Sequence, residues 1–536
     1  MRSTVLTLTQ ATEVQERPES GPPPRSRRRR DLLVDLGIVA AVALVLRLSE
    51  VGFGLPAMLN SDEPWNITVG TDMAAHGDWD PHYFSYPSLM YDVVAVADRI
   101  QRLLTGHMLT AADFGSQGMG INQTSDPDMV VALRLITVAL SVGICLLLCG
   151  VVRRVTGRRW VAVGAGLLGA TSPLLVGNAL YVTPDTYSAF FTAATLAGAL
   201  AVVRRGSRLD YVLAGIAVGC ALGSKYNFMC AVPVVVAYLL HEGKNAWRWR
   251  ALISLALTGA VAAATFALTT PALLFDSNSL VTGLQSELTH YSAGHSGAQG
   301  GALGFYLSDL LHDQAVLLPG AAVAIAAACF GRFRKEILVV GSFAVGYFAL
   351  ISSEVVRFDR DLLPLLPALM LLTGFSVAWL VELAAAGRPV AWLRAARLPQ
   401  PARLAVASLV VIAVTLPAVL GATRNVQALD EAPRAEAAAW LQAHVPQGST
   451  VVDEHYGPWL DTTEFHVVEV GYAVIDPLPS NAAAIVITQN GSGRFLDYPA
   501  QNADQMADYD TLLQTYCVAV KYTDGPWVEI LTPCQK

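Results

Sequence analysis

The chain has 536 residues, of which 53% are apolar and only 15% charged, and its formal charge is −7. A soluble protein would carry about a quarter charged residues, whereas here the apolar residues fall into repeated runs of roughly 16 to 23, the length of a bilayer-crossing helix. Composition therefore excludes a soluble globular protein and defines a polytopic α-helical membrane protein, for which no nucleic-acid partner is expected.

Residues 1–30 are polar and Pro-rich and end in Arg-Ser-Arg-Arg-Arg-Arg, which reads as a disordered basic cytoplasmic tail. The first apolar run, 32–48, resembles a signal sequence, but no small-residue cleavage site follows it. The arginines hold its start in the cytoplasm by the positive-inside rule. The segment after it, about 49–128, is then a long outer loop. It opens with Leu59-Asn-Ser-Asp-Glu-Pro-Trp-Asn66 and continues with Asp72, His76, Asp78, Asp80 and His82 among Trp65, Trp79, Tyr83, Phe84 and Tyr86. A connection without a task is usually a handful of residues long. Carboxylates set among flat rings suit a sugar, because a carboxylate binds or deprotonates hydroxyls while rings stack on the apolar sugar face.

Basic clusters order the rest of the membrane region, 31–423. A span over about 129–150 returns to Arg153, Arg154, Arg158 and Arg159, a third runs over 160–180, and a fourth returns to Arg204, Arg205 and Arg208. The apolar stretch 211–240 is interrupted at Gly223-Ser-Lys-Tyr-Asn227 and has basic residues on both flanks. Such a stretch must be a hairpin of short helices with Lys225 at its outer tip. A span at 251–273 leads to a second large outer loop, about 275–313, and further spans follow at about 315–330, 337–351, 362–383 and 404–419. The expected architecture is about eleven spans, N-terminus cytoplasmic and C-terminus outside.

Residues 424–536 read as a soluble extracytoplasmic α/β domain, with a helix over 430–445 and strands at 450–452, 465–470, 484–488, 518–521 and 527–531. Cys517 and Cys534 lie in this exported part and could pair there. Cys145, Cys149, Cys220, Cys230 and Cys329 fall in apolar runs and are expected to pack as small hydrophobes.

With this topology Asp62, Glu63, Arg47, Arg134, Asp185, Lys225, His290, His295, Glu354, Arg357 and Arg360 all gather at the outer surface. Ionisable groups at helix ends in a membrane protein are candidates for function, because burying them without use is costly. Arginines and lysines there can hold a phosphate, Arg through a bidentate fork and Lys as a point charge. The bland alternatives carry weight too. Any one arginine can merely snorkel towards headgroups. His290 and His295 in a Gly-rich stretch suit solvation more than metal binding. His76, Asp78, Asp80 and His82 are spaced too loosely to require a metal, and Tyr83, Phe84 and Tyr86 can act as interfacial anchors. Lys225 stands apart, since broken helices at membrane depth line a site.

At this point the chain resembles the C-type superfamily of integral-membrane glycosyltransferases, in the branch of protein O-mannosyltransferases and the lipid A aminoarabinose transferase. The resembling features are Arg47 ending the first span, Asp62-Glu63, the run from Asp80 to Pro87, Arg134, Pro184-Asp185, Gly223-Ser-Lys225-Tyr226, His290 to His295, and Arg357 before the 362–367 Leu/Pro run. Their order over about 35–460 carries the likeness more than any one motif. The resemblance implies a polyprenyl-phosphate-linked sugar donor and a hydroxyl acceptor on a protein, lipid or glycan. It implies Asp62 as general base in an inverting transfer, with Glu63 orienting it or the acceptor. Lys225, Arg47, Arg134 and Arg357 would bind the donor phosphate. Asp185 would bind sugar hydroxyls or fix Lys225, and Tyr83, Tyr86, Tyr226, His290 and His295 would bind sugar or acceptor. No cofactor is required on this reading, and a divalent metal is allowed without being called for. Ser85-Tyr-Pro87 departs from the Lys-Pro pair of some relatives, so the sugar does not carry over. A transporter or flippase of lipid-linked sugars is the rival from another class. It would want charges at the bilayer midplane and internal repeats, and the span centres here are nearly free of both. A lipid-linked glycan polymerase or ligase would place its key residues in a late outer loop, whereas the first loop dominates here.

Overall fold

A computed structural model of the chain describes residues 25–58, 60, 62–114, 122–293, 301–385, 432–500, 502–523 and 526–534. Helix α1 (Arg25–Leu48) is followed by the segment expected as the first outer loop, which is largely helical. A short pair of strands, β1 (Ala57–Met58) and β2 (Asn122–Gln123), brackets two helices, α2 (Asp62–His76) and α3 (Leu89–Thr105). The buried residues Ile67, Met73, Met90, Tyr91 and Val94 supply one shared apolar face at helical spacing. Gly70 allows the two helices to touch, because a Cβ there would lie 2.5 Å from that of Val94. On its other side α3 exposes Val96, Ile100, Leu103 and Leu104, the pattern of a helix lying in a membrane interface.

Helix α4 (Pro127–Thr156) starts where Asp126 accepts a hydrogen bond from the Met129 amide at 2.9 Å and Pro127 occupies the first turn. It ends at Gly157, whose φ of 72° suits glycine. At 1.5 Å per residue it is about 45 Å long, enough to cross hydrocarbon and headgroups. Helices α5 (Arg159–Ala170) and α6 (Pro173–Gly177) form a bent pair, with a 60° change of direction just before Pro173. Helices α7 (Pro184–Arg204) and α8 (Arg208–Lys225) pack side by side, the second opened by a capping box of Ser207 and Asp210.

Helix α8 breaks at Tyr226, which holds a left-handed φ of 47°, and α9 (Ala231–Glu242) runs back. The Tyr211 and Tyr238 rings near the far ends of the two helices lie 6.5 Å apart. The expected hairpin is therefore present, with Lys225 at its tip. Glycines on α8 bring it against α10 (Trp249–Thr269), and a Cβ at Gly219 would meet the Ala262 carbonyl at 2.6 Å. The second outer segment is also largely helical, with α11 (Ala272–Phe275), α12 (Ser277–Ala293) and α13 (Ala302–Asp313). Helices α14 (Leu317–Cys329), α15 (Arg334–Ser353) and α16 (Leu366–Ala385) complete the described membrane region.

Among the described residues five helices are long and apolar enough to span, or up to seven if each bent pair is one span. The difference from about eleven expected spans has physical causes. Helix α1 carries Asp31, Asp35 and Arg47, α8 carries Arg208, Asp210 and Lys225, and α9 is only 12 residues long. The segment expected at 315–330 yields a 13-residue helix bent by 98° from α13. The span expected at 404–419 lies outside the described residues.

In the C-terminal region α17 (Ala432–His444) covers one face of a five-stranded sheet ordered β4-β3-β5-β7-β6. The strands are β3 (Thr450–Glu454), β4 (His466–Val470), β5 (Ala482–Thr488), β6 (Tyr516–Tyr522) and β7 (Val528–Pro533). Strand β3 is parallel to β4 and β5, whereas β7 is antiparallel to β5 and to β6. Alternating side chains fill both faces. Val451, Ala484, Val486 and Ile530 pack with Ala437 and Leu441 of α17, and Val452, Ile485, Ile487 and Leu531 face the opposite layer. Each of the five expected strands is found. Cys517 of β6 and Cys534, just after β7, are disulfide-bonded.

Candidate active site

Asp62 begins α2, with its amide donating to Asn60 Oδ1 at 3.0 Å. Its carboxylate pairs with the guanidinium of Arg360, 298 positions away in the chain. Arg360 sits on a single 3-10 turn, Asp359–Leu362, that enters α16, and its guanidinium lies 4.8 Å from the Phe358 ring centroid. The next residue, Asp361, faces the tip of the α8–α9 hairpin. There Lys225 Nζ donates to Asp185 Oδ1 at 2.6 Å and to Asp361 Oδ1 at 3.2 Å. Asp185 lies in the first turn of α7 after Pro184, where unpaired helix amides favour a negative charge. Asp361 is buried and also accepts from the hydroxyls of Tyr291 at 3.3 Å and Tyr306 at 3.2 Å, and from the Phe358 amide at 3.2 Å.

These contacts join the first outer segment, the N-terminus of α7, the hairpin tip and the 359–362 turn into one charged cluster of Asp62, Asp185, Lys225, Arg360 and Asp361. Burial works against the Arg360 cation, but Asp62, Tyr86, Asp185 and Asp361 outweigh it and raise its pKa. Tyr86 lies in the same field, and burial pushes its hydroxyl pKa up, so it remains a proton donor. Glu287 of α12 faces the cluster as well. Burial raises its pKa, and the nearby Lys225 and Arg360 oppose that rise.

The other expected residues sort differently. Arg47 is fully buried and spends its donors inside the fold, on Ser141 Oγ at 2.9 Å and on the carbonyls of Ala43, Ala170 and Gly169 at 3.1, 3.0 and 3.3 Å. It ties the end of α5 to α1 and α4. Arg134 and Glu63 are likewise engaged inside the fold. Both are wholly buried and form a bidentate pair, 2.9 and 2.7 Å, while Arg134 also donates to the carbonyls of Val51 and Phe53. Glu63 accepts in addition from the Val182 amide at 3.1 Å. Adjacent residues on a helix point about 100° apart, so Asp62 faces the cluster while Glu63 faces the packed interior.

Arg357 is half-buried, with its guanidinium 5.0 Å from the Phe305 ring. Tyr83 makes an edge contact with Trp65 at 5.4 Å. The Tyr226 hydroxyl donates to the Phe84 carbonyl at 3.1 Å and so binds the hairpin tip to the first outer segment. His290 on α12 is half-buried, and burial followed by the Arg360 charge lowers its pKa, leaving a neutral imidazole. His295 lies outside the described residues. Asp80, His82 and Asp276 each offer one ligand atom within 4.8 Å of the others, a set that could hold a divalent cation between the two outer segments. His76 is not part of it, since its Nδ1 approaches the Asp72 carbonyl at 2.8 Å. Arg360 and Asp361 are the residues that sequence reasoning left without a role. Their signal was present, a run of three charges, Asp359-Arg-Asp361, directly before an apolar span.

The fold is similar to that of a solved integral-membrane glycosyltransferase, and part of the chain matches a mannosyltransferase family. Residues 110–275 match the family described as dolichyl-phosphate-mannose-protein mannosyltransferase. ArnT from Cupriavidus metallidurans, in a crystal structure bound to undecaprenyl phosphate, superposes with a TM-score of 0.51 at 16% identity, over 95% of this chain and 98% of that one. Its apo form gives the same TM-score and identity over 94% of this chain. AftD, a mycobacterial arabinofuranosyltransferase, aligns with a TM-score of 0.43 at 15% identity, over 95% of this chain and 40% of its own. No curated protein matches the chain in sequence.

Proposed function

We propose that the chain transfers a sugar from a polyprenyl-phosphate-linked donor to a hydroxyl acceptor at the outer face of the membrane, with inversion at the anomeric carbon. The observation that carries this reading is the pairing of Asp62 with Arg360 beside the Lys225 cluster. It sets a carboxylate that can accept a proton beside two cations that can meet a phosphate.

The acceptor hydroxyl gives its proton to Asp62 as its oxygen forms a bond to the anomeric carbon. The bond from that carbon to the phosphate oxygen breaks, and the phosphate leaves as a monoester with one more negative charge. Arg360 and Lys225 meet that developing charge, the point where electrostatic stabilisation acts most strongly. Arg360 then has two states. It masks Asp62 in the resting site, and it turns to the phosphate when donor enters, which frees the base. Asp185 and Asp361 hold Lys225 in place, and Tyr86 and Tyr291 are placed to donate to sugar or phosphate oxygens.

Two further observations support a lipid donor. An apolar cavity of about 350 Å³ lies between helices α13 to α16, lined by Leu303, Leu310, Ile325, Phe348 and Leu369 among others, and it suits a prenyl chain. The solved relative bound to undecaprenyl phosphate shares the fold. The test is transfer of radiolabelled sugar from polyprenyl-phosphate donors to endogenous acceptors in membranes, comparing the native chain with Asp62→Asn at equal expression. Label in the acceptor fraction that disappears in Asp62→Asn upholds the reading. Undiminished transfer by that variant removes the proposed base. No transfer from any donor by the native chain removes the transferase reading.

A further inference from the structure

The C-terminal sheet has a feature that the membrane site does not use. Its three parallel strands are ordered β4-β3-β5. The chain passes from β3 to its neighbour on one side and then to its neighbour on the other. In open α/β sheets such a reversal leaves a crevice outside the carboxyl ends of the strands, and ligands bind there. In this domain those carboxyl ends carry a set of half-buried polar and aromatic side chains. His455 and Tyr456 follow β3, Tyr472 and Asp476 follow β4, and Arg494 follows β5 in the run Gln489-Asn-Gly-Ser-Gly-Arg494.

The set is built rather than scattered. Arg494 donates to the Tyr456 hydroxyl at 3.1 Å, with its guanidinium 5.3 Å from that ring. The His455 and Tyr472 rings lie 6.1 Å apart. Gly471 leaves a gap whose walls are Asp476 Oδ2 and His455, 3.1 and 3.6 Å from where a Cβ would stand. Beneath the crevice the buried Glu454 accepts from the amides of Ala473 and Thr488, each at 2.7 Å, and from the Ser492 hydroxyl. One carboxylate at the end of β3 thus fixes the loops after β4 and β5. Tyr456 keeps a left-handed φ of 65°, a strained conformation for a non-glycine residue that clusters at functional positions.

We propose that this crevice is a saccharide-binding site, separate from the membrane site, for an uncharged sugar chain. Tyrosine faces give a sugar its stacking surface, and Arg494, Asp476 and His455 converge at different angles to bind neighbouring hydroxyls. An anionic ligand is disfavoured, because residues 432–536 hold thirteen acids against four bases and would repel one. The site stands whether or not the membrane site is a transferase. If it is, the crevice binds the acceptor glycan.

The experiment uses the full chain in a detergent without a sugar headgroup, titrated with fluorescent mannose, glucose, galactose and arabinose oligosaccharides in the absence of any lipid donor. At least one series binds, Arg494→Gln weakens it about tenfold or more, as expected for losing a charged hydrogen bond, and Asp62→Asn leaves it unchanged. Hydrogen exchange of the β3 and β5 amides shows that the Arg494→Gln sheet is intact. Three results overturn the proposal: no oligosaccharide bound at millimolar concentration, binding by a folded Arg494→Gln equal to that of the native chain, or saccharide binding lost in Asp62→Asn. Arg494-dependent binding of inorganic phosphate with no sugar bound overturns it as well.

Discussion

Asp62 and Arg360 lie 298 positions apart and meet in one ion pair that closes the first outer segment onto the turn before α16. About a third of the Asp62 side chain remains exposed, so the pair stands at the mouth of the cluster and can open to a ligand. Such a part-exposed pair adds little to stability, about 0–1 kcal/mol. Asp62→Asn should therefore leave the melting temperature nearly unchanged while lowering turnover about 10²–10⁴-fold, the usual loss for a missing general base. Donor binding should persist. A variant that no longer binds donor would show that Asp62 positions the lipid rather than taking the proton.

Lys225 has the opposite character, since it is nearly buried between two carboxylates. Removing the cation leaves Asp185 and Asp361 facing each other, at a cost of about 3–5 kcal/mol. Lys225→Met should therefore unfold easily, which makes activity alone a poor readout. Lys225→Arg keeps the charge and should fold, but a guanidinium is planar and cannot replace a compact ammonium at the same point. We expect it to lower kcat/KM for the donor while melting within a few degrees of the native chain. The double substitution Asp185→Asn with Lys225→Met should regain stability without regaining turnover. Recovered turnover in that double variant would remove Lys225 from phosphate binding.

Glu63 adjoins Asp62 in sequence and differs from it in every physical respect. It is wholly buried, paired twice with Arg134, and bonded to the Val182 amide. Breaking that pair with Glu63→Gln should cost about 3–5 kcal/mol of stability, read as a lower melting temperature. The folded fraction should keep its turnover within a few-fold. A large fall in turnover at unchanged stability would instead put Glu63 in the chemistry.

The sequence announced the membrane class, the five C-terminal strands and the hairpin tip, because each rests on a local pattern. Period-2 alternation marks strands, basic flanks mark cytoplasmic turns, and Gly223-Ser-Lys-Tyr-Asn227 interrupts an apolar run. The roles within the Asp-Glu pair were not legible, since neighbouring residues on one helix take different faces and no composition rule says which faces the interior. The buried partners of Arg47 and Arg134 were hidden for a related reason. An arginine at a helix end looks alike whether its partners are water and phosphate or buried carbonyls on helices far away in the chain. The helices of the first outer segment were hidden by polarity, although Met90, Tyr91 and Val94 carry the helical spacing. The pairing of Arg360 with Asp62 could only be recognised once tertiary structure brought the two together.

Asp453, on β3 of the C-terminal sheet, yields a prediction about pH. Its Oδ1 is buried with no hydrogen-bond partner among the described residues. Burial first, and then the charges of Glu469 and Glu454, raise its pKa well above the ordinary 3.8. Between the unfolded and folded values the native chain holds a proton that the unfolded chain has released, so stability falls as pH rises from about 4 towards neutral. Asn in that place carries no charge and escapes the penalty. Asp453→Asn should match the native chain near pH 4 and become the more stable of the two as pH increases. Hydrogen exchange of the β3 amides in the full chain, corrected for the intrinsic rate at each pH, measures that difference locally. A gap between the two proteins that stays constant with pH would show that Asp453 does not titrate in this range, and that its unpaired oxygen is tolerated for another reason.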